Sequence, residues 1–224
     1  MKKAIKILVI ILAVALILVS GAFLFWKFGT QTGQIGEQVF YTYIKPTKTI
    51  VIHGQGEMWD YWESSVSEWS YNPEEPTRFG YGRCSPLTYY YADEARKVVI
   101  LDGVTFLSAG FLGDCDTLEA VYIPKSVVEI SLDAFEGDQP NLKKICFEGD
   151  CPQTCPALSQ DPKGGIFVPE GVFGSGIFTG DWIRKGVPTE DRPVIYYQPG
   201  TTGWEDPMWD GFRMVERKYR IDWS

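Results

Sequence analysis

From Val98 onward, apolar residues return at a fixed step. Val98 to Val121, Val104 to Val127 and Leu107 to Ile130 are each 23 positions apart, and Val121 to Ile145 is 24. A period in this range marks stacked coils, none of which can bury its apolar side alone. Within each coil one pair of residues (Val98 and Ile100, Val121 and Ile123, Ile145 and Phe147) alternates with outward positions, which predicts a short half-buried strand. A turn follows, at Asp102-Gly103 and at Pro124-Lys125. Val104, Leu107, Leu112 and Leu118 in the first return segment answer to Val127, Ile130, Phe135 and Leu142 in the second. One extra residue around Pro140 absorbs the longer step.

The N-terminus has a different pattern. Ile7 to Trp26 is 20 residues without a charge, and at about 1.5 Å per residue it matches a hydrocarbon thickness of roughly 30 Å. The competing reading is a secretory signal, since Lys2, Lys3 and Lys6 resemble its basic region and Ser20-Gly21-Ala22 a cleavage site. The apolar run outlasts the usual signal core and continues through Phe23, Leu24, Phe25 and Trp26, which favours an anchor or uncleaved signal. Three lysines before the span and only Lys27 after it orient the N-terminus inside and the C-terminal part outside. The next twelve residues, Phe28 to Val39, are Gly- and Gln-rich and read as a flexible linker, with a reach of about 20 Å.

Charge narrows the partners. Residues 28–224 hold 17 bases against 29 acids, a difference of −12. Such a domain repels phosphate backbones, and no run of Lys or Arg offsets this, so nucleic acid is excluded as an expected partner. Five cysteines are too few for a disulfide scaffold and cannot all pair within the chain. Cys146, Cys151 and Cys155 fall within ten residues. They lack a fourth ligand at zinc spacing, and they stand instead as disulfide candidates in an exported chain, with free thiols as the alternative.

At the repeats the chain resembles the BspA-like leucine-rich repeats of bacterial surface proteins. Phe111-Leu112-Gly113-Asp114-Cys115-Asp116-Thr117-Leu118 and Ala134-Phe135-Glu136-Gly137 carry the resemblance. Thr49 to Tyr61 is similar to the strand and turn preceding such arrays, and Ile166 to Val172 and Val194 to Trp204 to the segments that close them. The resemblance implies a right-handed solenoid at a bacterial surface, used for adhesion or protein recognition. The chain has two full repeats where the long adhesive members stack many.

The expected fold is therefore mostly β with short helices. It is a short right-handed leucine-rich-repeat solenoid (98–224) behind a β-rich N-terminal cap (40–97), preceded by one transmembrane helix (1–27) and the linker (28–39).

Two groups of side chains are candidate ligand sites. If Val98, Val121, Ile145 and Ile166 share an inward row, then Val99, Tyr122, Cys146 and Phe167 form a ladder on the exposed sheet face, about 4.8 Å apart, which Tyr196 extends. The alternative is that the N-terminal β segment or a loop folds over it. Trp59, Tyr61, Trp62 and Trp69 stand among Glu57, Asp60, Glu63 and Glu68, a mixture that suits sugar rings and equally suits a plug over an open solenoid end. Trp59 and Trp62 are its ligand candidates.

Catalysis finds no motif. His53, the single histidine, sits in a strand pattern without visible triad partners. No cofactor or metal site is expected. The expected function is a membrane-anchored extracellular module that binds a protein or envelope glycan without catalysis; the alternative is a structural envelope component.

Overall fold

The computed structural model describes residues 10–12, 14–16, 19–21, 29–59, 85–131, 134–135, 139–155, 159–160, 166–167, 186–204, 208–209 and 212–221. These residues are mostly β, with a few short helices. The chain alternates between two parallel ladders. Strands β3 (Thr49–Gly54), β5 (Lys97–Ile100), β7 (Ala120–Ile123), β9 (Lys144–Phe147), β13 (Val194–Tyr197) and β15 (Phe212–Glu216) pair in parallel in that order. A second ladder runs in the order β4 (Gly56–Glu57), β6 (Val104–Leu107), β8 (Glu129–Ser131) and β10 (Gln153–Cys155). Successive strands from β3 to β10 therefore belong to the two sheets by turns.

Register explains why. Ile50, Val98, Val121, Ile145 and Ile195 are aligned across the first sheet, and all five are fully buried. Leu107 aligns with Ile130 in the second sheet, and Val128 N donates to Thr105 O at 3.0 Å, which brings Val127 beside Val104. Both rows join one core with Phe111 and Phe135, whose rings lie edge to face at 4.8 Å.

Polar groups staple each coil to the next. Ser126 occupies the turn position that Gly103 holds one coil earlier; its Oγ donates to Val104 O at 2.8 Å and accepts from Gly103 N at 3.0 Å. Gly103 itself has φ 112°, and a Cβ there would meet Gly54 O of the preceding turn at 2.3 Å, so the residue type is dictated twice over. On the return side, Thr117 Oγ1 donates to Ala95 O at 2.8 Å and Asn141 Nδ2 to Asp116 O at 2.7 Å.

Three expected boundaries change. The segment read as linker contains β1 (Thr30–Gln34), paired antiparallel with β2 (Val39–Ile44), and Ile35 is fully buried. Threonine, Gly and Gln read as flexible by composition, but the Tyr41 and Tyr43 side chains of β2 bury against Tyr91 and fix the hairpin as the end of the sheet. The parallel ladder also begins at β3 rather than at Val98. Helix α1 (Pro86–Tyr91), N-capped by Ser85, supplies Leu87 and Tyr91 to the core as the earlier return segment. Finally, Ile166 does not continue the inward row. β12 (Ile166–Phe167) pairs antiparallel with β11 (Ser159–Gln160) in a separate sheet, and Ile195 of β13 takes the rung next to Ile145.

The expected transmembrane segment falls partly on described residues. Residues 10–12, 14–16 and 19–21 are helical, with Ile10, Ile11, Leu12, Val14, Leu16 and Val19 exposed by 50–71%. Among the described residues no helix is long and apolar enough to cross a membrane.

Stacking predicts a sharp contrast between neighbours. Leu107→Ala, in the shared core, should cost about 2–5 kcal/mol, whereas Val128→Ala, at a side chain 62% exposed, should stay within about 0.5 kcal/mol. Urea denaturation of the two variants measures this; equal losses would contradict the inward and outward assignment.

Candidate functional site

The outer face of the long sheet carries the predicted ladder. Val99 aligns with Tyr122, Tyr122 with Cys146, and Cys146 with Tyr196. The row continues in one direction to Val51 and Thr42 and in the other to Val215. Strand alternation produces it: each ladder residue lies next to an inward Val or Ile, so the register that builds the core also builds this row.

Its expected exposure is overturned. Val99, Ala120, Tyr122 and Cys146 form a buried cluster of their own, closed by Leu101, Tyr196, Tyr219 and Ile221. Residues 217–221 leave β15 and cross the sheet. Arg217 N still donates to Tyr197 O at 2.9 Å, and the Arg217 guanidinium lies 6.0 Å from the Tyr196 ring centroid. The Tyr219 ring then packs on Tyr122 at 6.2 Å, with Gln198 Nε2 donating to Tyr219 O at 3.3 Å. Lys144 Nζ stands 5.4 Å from the Tyr122 ring on the same face. An uncovered apolar row of this length would carry a hydrophobic penalty, and the chain's own segment removes it.

The cover leaves a polar atom unmatched. The Tyr122 hydroxyl is buried and has no hydrogen-bond partner among the described residues. An unmatched hydroxyl costs on the order of 1–3 kcal/mol. Burial also pushes the Tyr219 hydroxyl pKa upward, with Cys146 and Glu148 adding to the shift and the Gln198 side chain opposing it.

The remaining candidates are dispersed. Phe167 lies in β12, outside the ladder, with its side chain outside the described residues. Trp59 is 8% exposed and belongs to the main core; its backbone N–H donates to Ile35 O at 2.8 Å. Tyr61, Trp62 and Trp69 lie outside the described residues. A cleft of about 480 Å³ is lined by Trp59 together with Glu37, Gln38, Gln55, Glu57 and Thr105. His53 is held by Thr42, Nε2 to Oγ1 at 3.2 Å, and stacks with Phe40.

The disulfide candidates separate as well. Cys146 and Cys151 are free thiols, the first in the outer cluster and the second against the main core, so the sheet lies between their sites. The Cys155 side chain lies outside the described residues. Residues 217–221 are what the sequence reading missed. The signal was present as the alternation of Arg217, Tyr219 and Ile221 with Lys218 and Arg220.

No family model and no curated protein matches this chain. Among solved structures, a leucine-rich repeat protein from Eubacterium ventriosum is similar over 81% of this chain and 42% of that one, at 14% identity and a TM-score of 0.36. The chain thus spans less than half the length of that protein. So distant a likeness carries no weight, and the architecture stands on the registers above.

Burial pushes the thiols of Cys115 and Cys146 from 9.0 up to about 12. It also takes the Tyr43 hydroxyl from 10.0 to about 12, helped by its hydrogen bond to Glu94 Oε2 at 3.1 Å. These groups keep their protons to higher pH in the fold than in the unfolded chain. Their contribution is therefore complete below the unfolded values and is lost as pH rises from 9.0 toward about 12. Urea midpoints across that range should fall steadily; a level midpoint would contradict the burial of these groups. Tyr122→Phe, which removes an unmatched hydroxyl, should raise stability by about 1 kcal/mol. A loss of that size would mean the hydroxyl is paired.

Proposed function

We propose that the chain is a recognition module that binds a protein segment along the outer face of its long sheet, tethered outside the cell by its N-terminal apolar segment. The observation that carries this reading is the row Val99, Tyr122, Cys146 and Tyr196, assembled in register across four strands and already seating a short stretch of polypeptide. A face that accepts Tyr219 and Ile221 by side-chain packing takes other segments of similar shape by the same contacts. A protein fits it better than an envelope glycan, because the row is apolar. The tether is supported by the uncharged run from Ile7 to Trp26, by the exposed apolar side chains of its described helical residues, and by the lysine asymmetry that sets the N-terminus inside. Recognition needs no catalytic group.

One observation favours the alternative of a structural envelope component: the row is closed by the chain itself. Intact cells distinguish the two. Full-length protein with a photo-crosslinking side chain at position 196 should give one dominant adduct, missing when the crosslinker is moved to position 128, just before the second ladder's β8. Adducts spread over many abundant envelope proteins would support the structural role. Adducts equal at both positions would end the recognition reading. External protease should remove the domain and leave the apolar segment behind; a domain protected in intact cells would contradict the orientation.

A further inference from the structure

Residues 217–221 read Arg-Lys-Tyr-Arg-Ile, and they alternate. Tyr219 and Ile221 pack into the outer cluster and Arg217 covers the Tyr196 ring, while Lys218 and Arg220 are exposed. Side chains of one parity meet the sheet and those of the other meet solvent, as in an extended ligand lying on a sheet face. The segment also opposes the charge of its host. Its three cations stand within four residues, whereas the rest of residues 28–224 holds 14 bases and 29 acids. Two charged groups flank the seat, Glu148 near Tyr219 and Lys144 beside Tyr122.

The fit is incomplete at one place. Tyr122 is 2% exposed, and its hydroxyl is buried without a partner among the described residues. A segment chosen only to complete the fold could present an atom that bonds to Tyr122. Among its described residues this one presents none. A seat with an unused hydroxyl holds its present occupant less well than an occupant that matches it.

We infer that residues 217–221 are an internal competitor for the recognition face, and that the face admits an extended protein segment of like chemistry. That segment carries a cation, then a polar or aromatic side chain that reaches the Tyr122 hydroxyl, then an aliphatic side chain, at alternate positions with basic residues between. This rests on the recognition reading above. The partner's apparent affinity is set by the fraction of molecules in which the internal segment has lifted, so weakening that segment strengthens the partner.

The test uses the full-length chain in detergent micelles and, as probe, a fluorescent synthetic peptide of residues 215–224. A second peptide has serine in place of Tyr219 and Ile221. In Tyr219→Ala/Ile221→Ala protein the probe should bind at least tenfold tighter than to the native chain, and the serine peptide should not bind. Adding Tyr196→Ala should abolish binding. Cys146 alkylation should accelerate at least tenfold in the double variant, reporting that the face has opened. Should the double variant fail to fold, a specific protease site inserted between Glu216 and Arg217 and cut after folding gives the same comparison.

Equal probe affinity in open and closed protein would overturn the competitor role. Failure of the probe to bind although Cys146 has become reactive would overturn the assigned ligand chemistry. A concentration-dependent dimer of the opened protein, formed by exchange of this segment, would make a second copy the occupant and overturn a separate partner. Crosslinking at position 196 keeps the two readings apart. A cellular adduct without probe binding sinks only the competitor, and probe binding without an adduct sinks only the recognition reading.

Discussion

No coil of this protein can bury its own apolar side, and the rest of the structure follows from that constraint. Each strand of the long sheet offers one or two inward aliphatic side chains, too few to exclude water alone, and Ile50, Val98, Val121, Ile145 and Ile195 become a core only when held in register. The 23-residue step keeps that register. Ser126 on Gly103 and Thr117 on Ala95 hold it with hydrogen bonds that link one coil to the next. The ends of such an array need covers. The β1–β2 hairpin closes one end with Tyr41 and Tyr43. Under β9 and β13, Trp204 stacks on Tyr197, packs against Phe147 and donates Nε1–H to Gly149 O.

The same register creates the functional face. Alternation along a strand means that fixing Val98, Val121 and Ile145 inward fixes Val99, Tyr122 and Cys146 outward in a straight row. The apolar character of that row is not required by the core, which lies on the other side of the sheet. It is matched instead by residues 217–221, so a feature with the geometry of a binding site is occupied by the chain's own segment. Occupation without full hydrogen-bond pairing distinguishes this cover from the hairpin at the N-terminal end, where the Tyr43 hydroxyl donates to Glu94 and the Tyr91 hydroxyl to Gln31.

The ladder was legible in the sequence because its causes are local: period two within a strand, period 23 between strands. Val104 and Val127 do stand side by side, and Tyr122 and Cys146 do share a row with Val99 and Tyr196. What was not legible came from contacts with no period. Ile166 matched the strand pattern as well as Ile195 does, and only the return path of the chain decides between them. Thr30 to Gln34 reads as linker because its stability comes from a neighbour's tyrosines rather than from its own side chains. The cover at 217–221 is one short segment after the last strand, and its alternation, though visible, does not say which face it covers.

The claim on which this account turns is that the C-terminal segment lies on the ladder in the native protein. Proton nuclear Overhauser spectroscopy with tyrosine-specific labelling reads it directly, since the Tyr122 and Tyr219 rings are 6.2 Å apart between centroids and tilted toward each other. Cross-peaks between the two rings are the predicted result. A Tyr219 ring with the shifts and narrow lines of a free chain, and no cross-peak to Tyr122, would contradict it.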